Sequence, residues 1–446
     1  MSKIELPSLS RRSLDAVWHP CTQMQHHDQG VPLPAIARAQ GAWLHDQDGK
    51  SYLDAISSWW VNLFGHSHPH IVQAVTDQLH TLDHVMLCGL THEPVVQLSE
   101  QLAALTGNQL GHAFYGSDGA SAVEVALKLS VQYWRNRGRS HKHRFVGIRQ
   151  GYHGETLGAL AVTDVPLFRE HYGDHLAATY TAASPDLRQA PHPDGHEAVT
   201  QAALDSLADV LASHSDIAAV ILEPLVQCAG GMAMHAPAYL RGVRALCDRH
   251  QVHLILDEIA VGCGRTGTFF ACEQAGIWPD LLCLSKGITG GTLPLSAVLS
   301  SHVLYQGFYH ADLRRGFLHS HSYSGNPLAC RAALATLELF RRLPVFDLQA
   351  ALGASLDQGL QDLAARHPGM RHLRRCGMIW AFELDAGPAR CDHLGFARRF
   401  YRSAMQQGLL LRPIANTVYV MPGYLWQQAE TDHLLSGLHA LLKEYA

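Results

Sequence analysis

The chain has 446 residues, 47% of them hydrophobic and 16% charged, which suffices for one large core with a satellite or for two to three domains. A formal net charge of −5 with a pI near 6.7, and basic residues scattered along the chain, argue against nucleic acid as the main partner. The first twenty residues carry charges but no apolar run of the secretory kind, and no stretch approaches the length of a transmembrane helix, so no membrane partner is expected. Ten cysteines are spread without a CxxC pair, a pattern of small buried thiols in a reducing compartment, and a cytoplasmic location is expected from it. Histidine is abundant at 31, yet "HSHPH" (His66 to His70) and "HSHS" (His319 to Ser322) lack carboxylate or thiol partners at ligand spacing. No metal site is expected.

In chain order, a turn-rich start leads to "DQDGKSYLD" (Asp46 to Asp54), a hairpin signal. Strands are then expected at Ala113 to Ser117, Arg144 to Ile148, Ile217 to Leu222, Val252 to Asp257, Leu281 to Ser285 and Leu295 to Ser300. Their near-continuous apolar runs suit a mainly parallel sheet covered on both faces. Between the first two, Ala122, Val125, Ala126, Leu129 and Tyr133 form one apolar stripe, which predicts a helix from Ser121 to Arg137 stopped by Gly138. The basic group "HKHRF" (His141 to Phe145) reads as a solvated connection. The last 110 residues mix helices with short strands around "GMIWAFEL" and "NTVYVMP". The fold class is therefore α/β: a large domain at 66–335, with a smaller α+β domain made from 1–65 and 336–446.

"GCGRTG" (Gly262 to Gly267) is a literal GxGxxG after a strand, a weak dinucleotide signal. Asp257 and Glu258 stand between strand and glycines, where negative charge repels a pyrophosphate, and no clear helix follows. More informative is "LLCLSKGITGG" (Leu281 to Gly291), which puts a solitary lysine at the end of a buried strand. Dehydrating an ammonium is costly, so Lys286 either snorkels to water or is held there for its amine. Asp257 ends another strand 29 residues earlier. In parallel strands the two emerge on one carboxyl edge, where α/β ligands bind. A lysine for a Schiff base and an aspartate for a pyridine nitrogen are the two groups that pyridoxal 5'-phosphate requires. "GSDGASAVE" (Gly116 to Glu124) adds a helix N-terminus at which the amides of Gly119 and Ala120 suit a phosphate. Tyr152 in "GYHGE" is an aromatic able to stack on a planar ring.

With "ILEPLVQCAGGM", "LILDEIAVGCGRTG" and "HSYSGNPLAC" in the same order, these motifs resemble the class-III (ω-type) aminotransferases along essentially the whole chain. The resemblance implies the fold type I of pyridoxal-phosphate-dependent transferases, a homodimer with a shared active site, and specific roles. Lys286 is implied as the Schiff-base residue, Asp257 as the partner of the pyridine nitrogen, and Tyr152 as the ring-stacking aromatic. Gly119 and Ala120 are implied at the phosphate, with Ser322 reaching it from the partner subunit. Arg412 is implied to hold the substrate carboxylate, and Trp59 and Tyr419 to line the substrate pocket beside Tyr152 and Lys286. Glu223 and Arg265 match positions near the site without an assigned role.

Four further stretches are similar to one branch of that family: "WHPCTQM" (Trp18 to Met24), "SSWWVNLFGHSHP" (Ser57 to Pro69), "HVMLCGLTHEP" (His84 to Pro94) and "LRPIANTVYVMPGY" (Leu411 to Tyr424). That branch converts 8-amino-7-oxononanoate to 7,8-diaminononanoate in biotin biosynthesis. "GGTLPLSAV" (Gly290 to Val298) and the pair Trp59 and Trp60 favour S-adenosylmethionine over lysine as amino donor. The alternative is another aminotransferase acting on an ω-amino acid or diamine with an α-keto acid. Three positions depart from the family pattern. Cys21 stands where an aromatic is usual, Glu155 replaces aspartate and Ala120 replaces serine.

Overall fold

The apolar runs of the middle of the chain form a seven-stranded sheet in the order His112–Gly116, Ser296–Ser300, Leu281–Leu284, His253–Asp257, Ile217–Leu222, Arg144–Ile148 and Tyr180–Ala182. The computed structural model describes residues 8–190, 192–384 and 393–444; the first seven residues of the stretch read for a leader, and Cys391, lie outside them. Ser296–Ser300 runs antiparallel to both neighbours, and the other pairings are parallel. The three-residue edge strand Tyr180–Ala182 is too short and too exposed to announce itself in the sequence.

Side chains of the central strands alternate between two apolar layers, as pleating requires. Ile221, Ile255 and Cys283 face the helix Gly119–Asn136 and meet Ala122, Val125, Ala126 and Leu129 of its apolar stripe. Val220, Leu222, Leu254, Leu256, Leu282 and Leu284 face the opposite layer with Leu240 and Val243 of the helix Pro237–His250. Burial on both faces explains why these strands read as continuous rather than alternating runs.

The helix begins at Gly119, two residues before the position expected from its stripe, because Asp118 and not Ser121 is its cap. The Asp118 carboxylate accepts the Ser121 amide at 2.9 Å. Gly138, at φ +75°, ends it as expected.

Both chain ends meet beside this sheet. Ile36–Gln40, Trp43–Asp46 and Ser51–Asp54 form an antiparallel meander, and Leu409–Leu410 from the far end adds in parallel to Ser51–Asp54. A second, antiparallel sheet joins Met370–Cys376, Ile379–Leu384 and Thr417–Val420. We propose the division at residues 66 and 336 as the organisation of the chain; the helix Pro327–Arg342 then bridges the large and C-terminal parts.

Two expectations are corrected. Lys142 of "HKHRF" is buried, its Nζ donating to the carbonyls of Ile217 and Gln251 and lying 4.9 Å from the centre of the Trp134 ring. Of the nine described cysteines, all unpaired, Cys21 and Cys88 are exposed rather than buried.

Candidate active site

Asp257 is the last residue of its strand and pairs with Cys283 of the neighbouring parallel strand, and Lys286 stands two residues beyond the end of that strand at Leu284. Both therefore emerge at the same carboxyl edge, with Glu223 just past Leu222 and the "GYHG" loop just past Ile148. Lys286 has φ +47°, a left-handed conformation that L-residues avoid, at the turn where the strand gives way to a short 3₁₀ segment. Burial holds its amine below the ordinary lysine value, while the negative groups of Asp257 and Glu223 pull it part of the way back. Its Nζ lies 4.8 Å from the centre of the Trp60 ring.

Asp257 is 4% exposed. Its Oδ2 meets His153 Nδ1 at 2.7 Å and its Oδ1 accepts the Ile259 amide at 3.1 Å. Glu223 accepts the amides of Tyr152 and Cys228 at 3.0 and 2.9 Å, and burial pushes its carboxyl up to about 7. Tyr152 donates its hydroxyl to Glu155 at 2.9 Å, so the longer acid at that position is engaged by the ring-bearing loop itself.

Gly119 and Ala120 occupy the first turn of a long helix, where amides have no intrahelical acceptor. A Cβ at Gly119 would lie 2.9 Å from Ile259 Cγ2, and one at Gly154 would lie 2.6 Å from Ala120 Cβ. The cradle is thus pressed against both the segment after Asp257 and the "GYHG" loop. An anion-binding helix end, a buried carboxylate, an amine of lowered basicity and a nearby aromatic fit pyridoxal phosphate in the chemistry of the donor set.

At the rim, the Arg412 guanidinium lies 5.0 Å from the centre of the Trp59 ring and donates to the Cys21 carbonyl at 3.2 Å. That bond uses backbone, so the cysteine in place of an aromatic leaves it intact. Trp60, buried, donates its indole N–H to the Tyr419 hydroxyl at 3.1 Å, which places Tyr419 behind Trp60. Ser322 is in an exposed turn, and its hydroxyl makes no hydrogen bond among the described residues. The neighbouring His321 Nδ1 is 3.4 Å from Ser117 Oγ, beside the start of the cradle.

"GCGRTG" is occupied by structure, not by a nucleotide. Arg265 is 1% exposed and donates to the carbonyls of Pro422 and Asn62 at 2.6 and 3.0 Å, stitching the two chain ends to the sheet. Glu258 accepts the amides of Ala271 and Cys272 at 2.7 and 2.9 Å. Sequence reasoning missed His153, whose only signal was its place in "GYHG", and read Trp60 only as half of a donor signature, not as the ring beside Lys286 Nζ.

This combination of sheet edge, lysine, aspartate and anion cradle defines a pyridoxal-phosphate-type transferase site, and the class-III aminotransferase profile matches residues 24–442. The chain belongs to that family. A relative from Helicobacter pylori, adenosylmethionine-8-amino-7-oxononanoate aminotransferase, is 42% identical over 98% of both chains. A crystal structure of the protein of the same name from Methanocaldococcus jannaschii is similar at TM-score 0.90 and 32% identity, covering 98% of this chain and 99% of that one. A PLP-bound amine transaminase from an uncultivated Pseudomonas species is similar at TM-score 0.90 and 31% identity, covering 97% and 99%.

Proposed function

We propose that this protein transfers an amino group from S-adenosylmethionine to 8-amino-7-oxononanoate, forming 7,8-diaminononanoate for biotin biosynthesis, with pyridoxal 5'-phosphate as cofactor. The observation that carries the substrate class is the Arg412–Trp59 pair at the rim. It sets a carboxylate-binding fork and a flat aromatic face beside the lysine edge. The names of the relatives support the same reading.

Bound pyridoxal phosphate supplies the carbonyl that takes up and returns the amino group and the ring that withdraws electrons from the reacting carbon. Lys286, Asp257 and Tyr152 would hold that ring, and Gly119 and Ala120 would hold its phosphate. Lys286 Nζ moves the proton, a task suited to an amine whose basicity burial has lowered. Asp257, with His153 at one oxygen and the Ile259 amide at the other, would be the residue that faces the ring nitrogen. Arg412 orients the carboxylate, Trp59 lines the substrate pocket, and Tyr419 backs it through Trp60, whose indole N–H it accepts.

The working unit we propose is a homodimer in which Ser322 completes the partner's phosphate site. Leu318 and Tyr323 beside it, and Met86 and Leu90, are exposed apolar side chains suited to being covered by a second copy. The unpaired thiols suit a cytoplasmic location. No helix among the described residues is long and apolar enough to cross a membrane.

The test is a half-reaction: holoenzyme is mixed with one donor at a time, and loss of the visible absorbance of the bound cofactor is followed. S-adenosylmethionine is expected to discharge it rapidly. Rapid discharge by lysine alone would reverse the donor. Discharge only by simple diamines or ω-amino acids would favour the amine-transaminase reading that the Pseudomonas neighbour supports.

A further inference from the structure

We propose that Asp54 is a positioning residue that holds the turn Ser57–Trp60 in the shape presenting Trp59 to the site, and so sets substrate affinity rather than the chemical step. The inference rests on the reading of Trp59 and Arg412 as the substrate rim.

Ser57, Ser58 and Trp60 have φ of +52°, +58° and +67°, three left-handed non-glycine residues within four positions. Ser58, with ψ −77°, falls in the strained γ-turn region. Each such residue is strained and persists only where its surroundings over-determine it. Trp59 cannot supply that restraint, being 43% exposed. Asp54 can. Its Oδ1 accepts the Ser58 amide at 2.8 Å, and its Oδ2 accepts the Ser58 hydroxyl at 3.0 Å and meets His66 Nε2 at 2.8 Å. Four residues away along the chain, this buried carboxylate is the only acidic group hydrogen-bonded to the turn among the described residues.

What the turn places is functional on both sides. Trp59 faces the Arg412 guanidinium, and Trp60 faces Lys286 Nζ while bonding Tyr419. Trp60 is packed and bonded, so it keeps its place without Asp54. Trp59 depends on the backbone beneath it. Loosening the turn therefore disperses Trp59 first and weakens binding more than turnover. A merely structural role predicts a lower melting temperature with kinetics unchanged, or KM and kcat failing together.

Asp54→Ala removes every acceptor, whereas Asp54→Asn keeps one for the Ser58 amide. With holoenzyme, Asp54→Ala is expected to raise KM for 8-amino-7-oxononanoate roughly tenfold while kcat stays within about threefold, and Asp54→Asn to recover most of the loss. In a Trp59→Ala background, adding Asp54→Ala should change KM by less than about twofold, because the two act through one side chain. Visible absorbance of the bound cofactor should be unchanged throughout. Additive effects of Asp54→Ala and Trp59→Ala on KM, or an unchanged KM in the single variant, would overturn the proposal. If Asp54→Ala does not fold, the same cycle is run with Asp54→Asn and Ser58→Ala, with smaller shifts and the same required non-additivity. If wild-type enzyme ignores 8-amino-7-oxononanoate but turns over another amine or oxo acid, the substrate reading fails, and the cycle is run on that substrate to judge Asp54 separately.

Discussion

His153 Nδ1 and Asp257 Oδ2 lie 2.7 Å apart, a buried pair joining the "GYHG" loop to the end of the strand His253–Asp257. His153 Nε2 is buried without a partner among the described residues, so the ring's hydrogen bond there is spent on orienting this carboxylate. Its other oxygen accepts the Ile259 amide at 3.1 Å, so the carboxylate is fixed in place at both oxygens.

Asp257→Asn is expected to keep the cofactor bound and lose at least about a thousandfold in turnover, a barrier increase of roughly 4 kcal/mol. The amide fills the same space but carries no charge to hold a proton on a ring nitrogen. Turnover measured beside cofactor absorbance in the same preparation checks this. An Asp257→Asn enzyme of normal turnover would remove the assigned role.

Lys286→Ala should fold, since alanine leaves the φ +47° backbone as it is and removes a poorly hydrated amine. It should not turn over. Mixing Lys286→Ala chains with Ser322→Asp chains then tests the shared site. In hybrids, one site carries both defects and the other carries neither, so activity should reappear on mixing. No recovery in hybrids isolated by differential tags would place Ser322 in its own subunit's site.

Arg412→Lys should weaken substrate affinity while sparing the cofactor. A lysine keeps the charge but cannot make two parallel hydrogen bonds to a carboxylate or lie flat on Trp59 as a guanidinium does. The expected change is a KM raised about tenfold or more, with absorbance of bound cofactor unchanged. Loss of cofactor with substrate affinity kept would contradict the assignment.

Much of this site was legible because its residues end apolar runs. Lys286 and Asp257 each follow four or five consecutive buried positions, and a parallel sheet brings such ends to one edge. The helix stripe and the hairpin at Asp46 to Asp54 were equally plain. Asp118 as cap, Lys142 as a buried cation and the edge strand Tyr180–Ala182 were not. Each depends on a tertiary partner: the Ser121 amide, two distant carbonyls, and a neighbouring strand. His153 and Asp54 were hidden for the same reason. A histidine or aspartate in a loop carries no periodicity, and its role appears only when its acceptors and donors are assembled in space.

Glu258 provides a stability test away from the ligands. It is buried, and burial pushes its carboxyl from an ordinary 4.5 up to about 7, with the amides of Cys272 and Ala271 holding it back from rising further. A carboxyl whose folded value lies above its unfolded one favours the protonated fold. Its contribution is fully present below pH 4.5 and is lost as the pH climbs through about 7. A gap of that size between the folded and unfolded values makes the loss from this residue on the order of 3 kcal/mol. Glu258→Gln cannot ionise, so its stability should lack this component. The measurement is the urea midpoint of both proteins at pH 5 and pH 8. Wild type should lose stability relative to Glu258→Gln between the two, and a difference that stays constant with pH would show that Glu258 is ionised in the fold throughout.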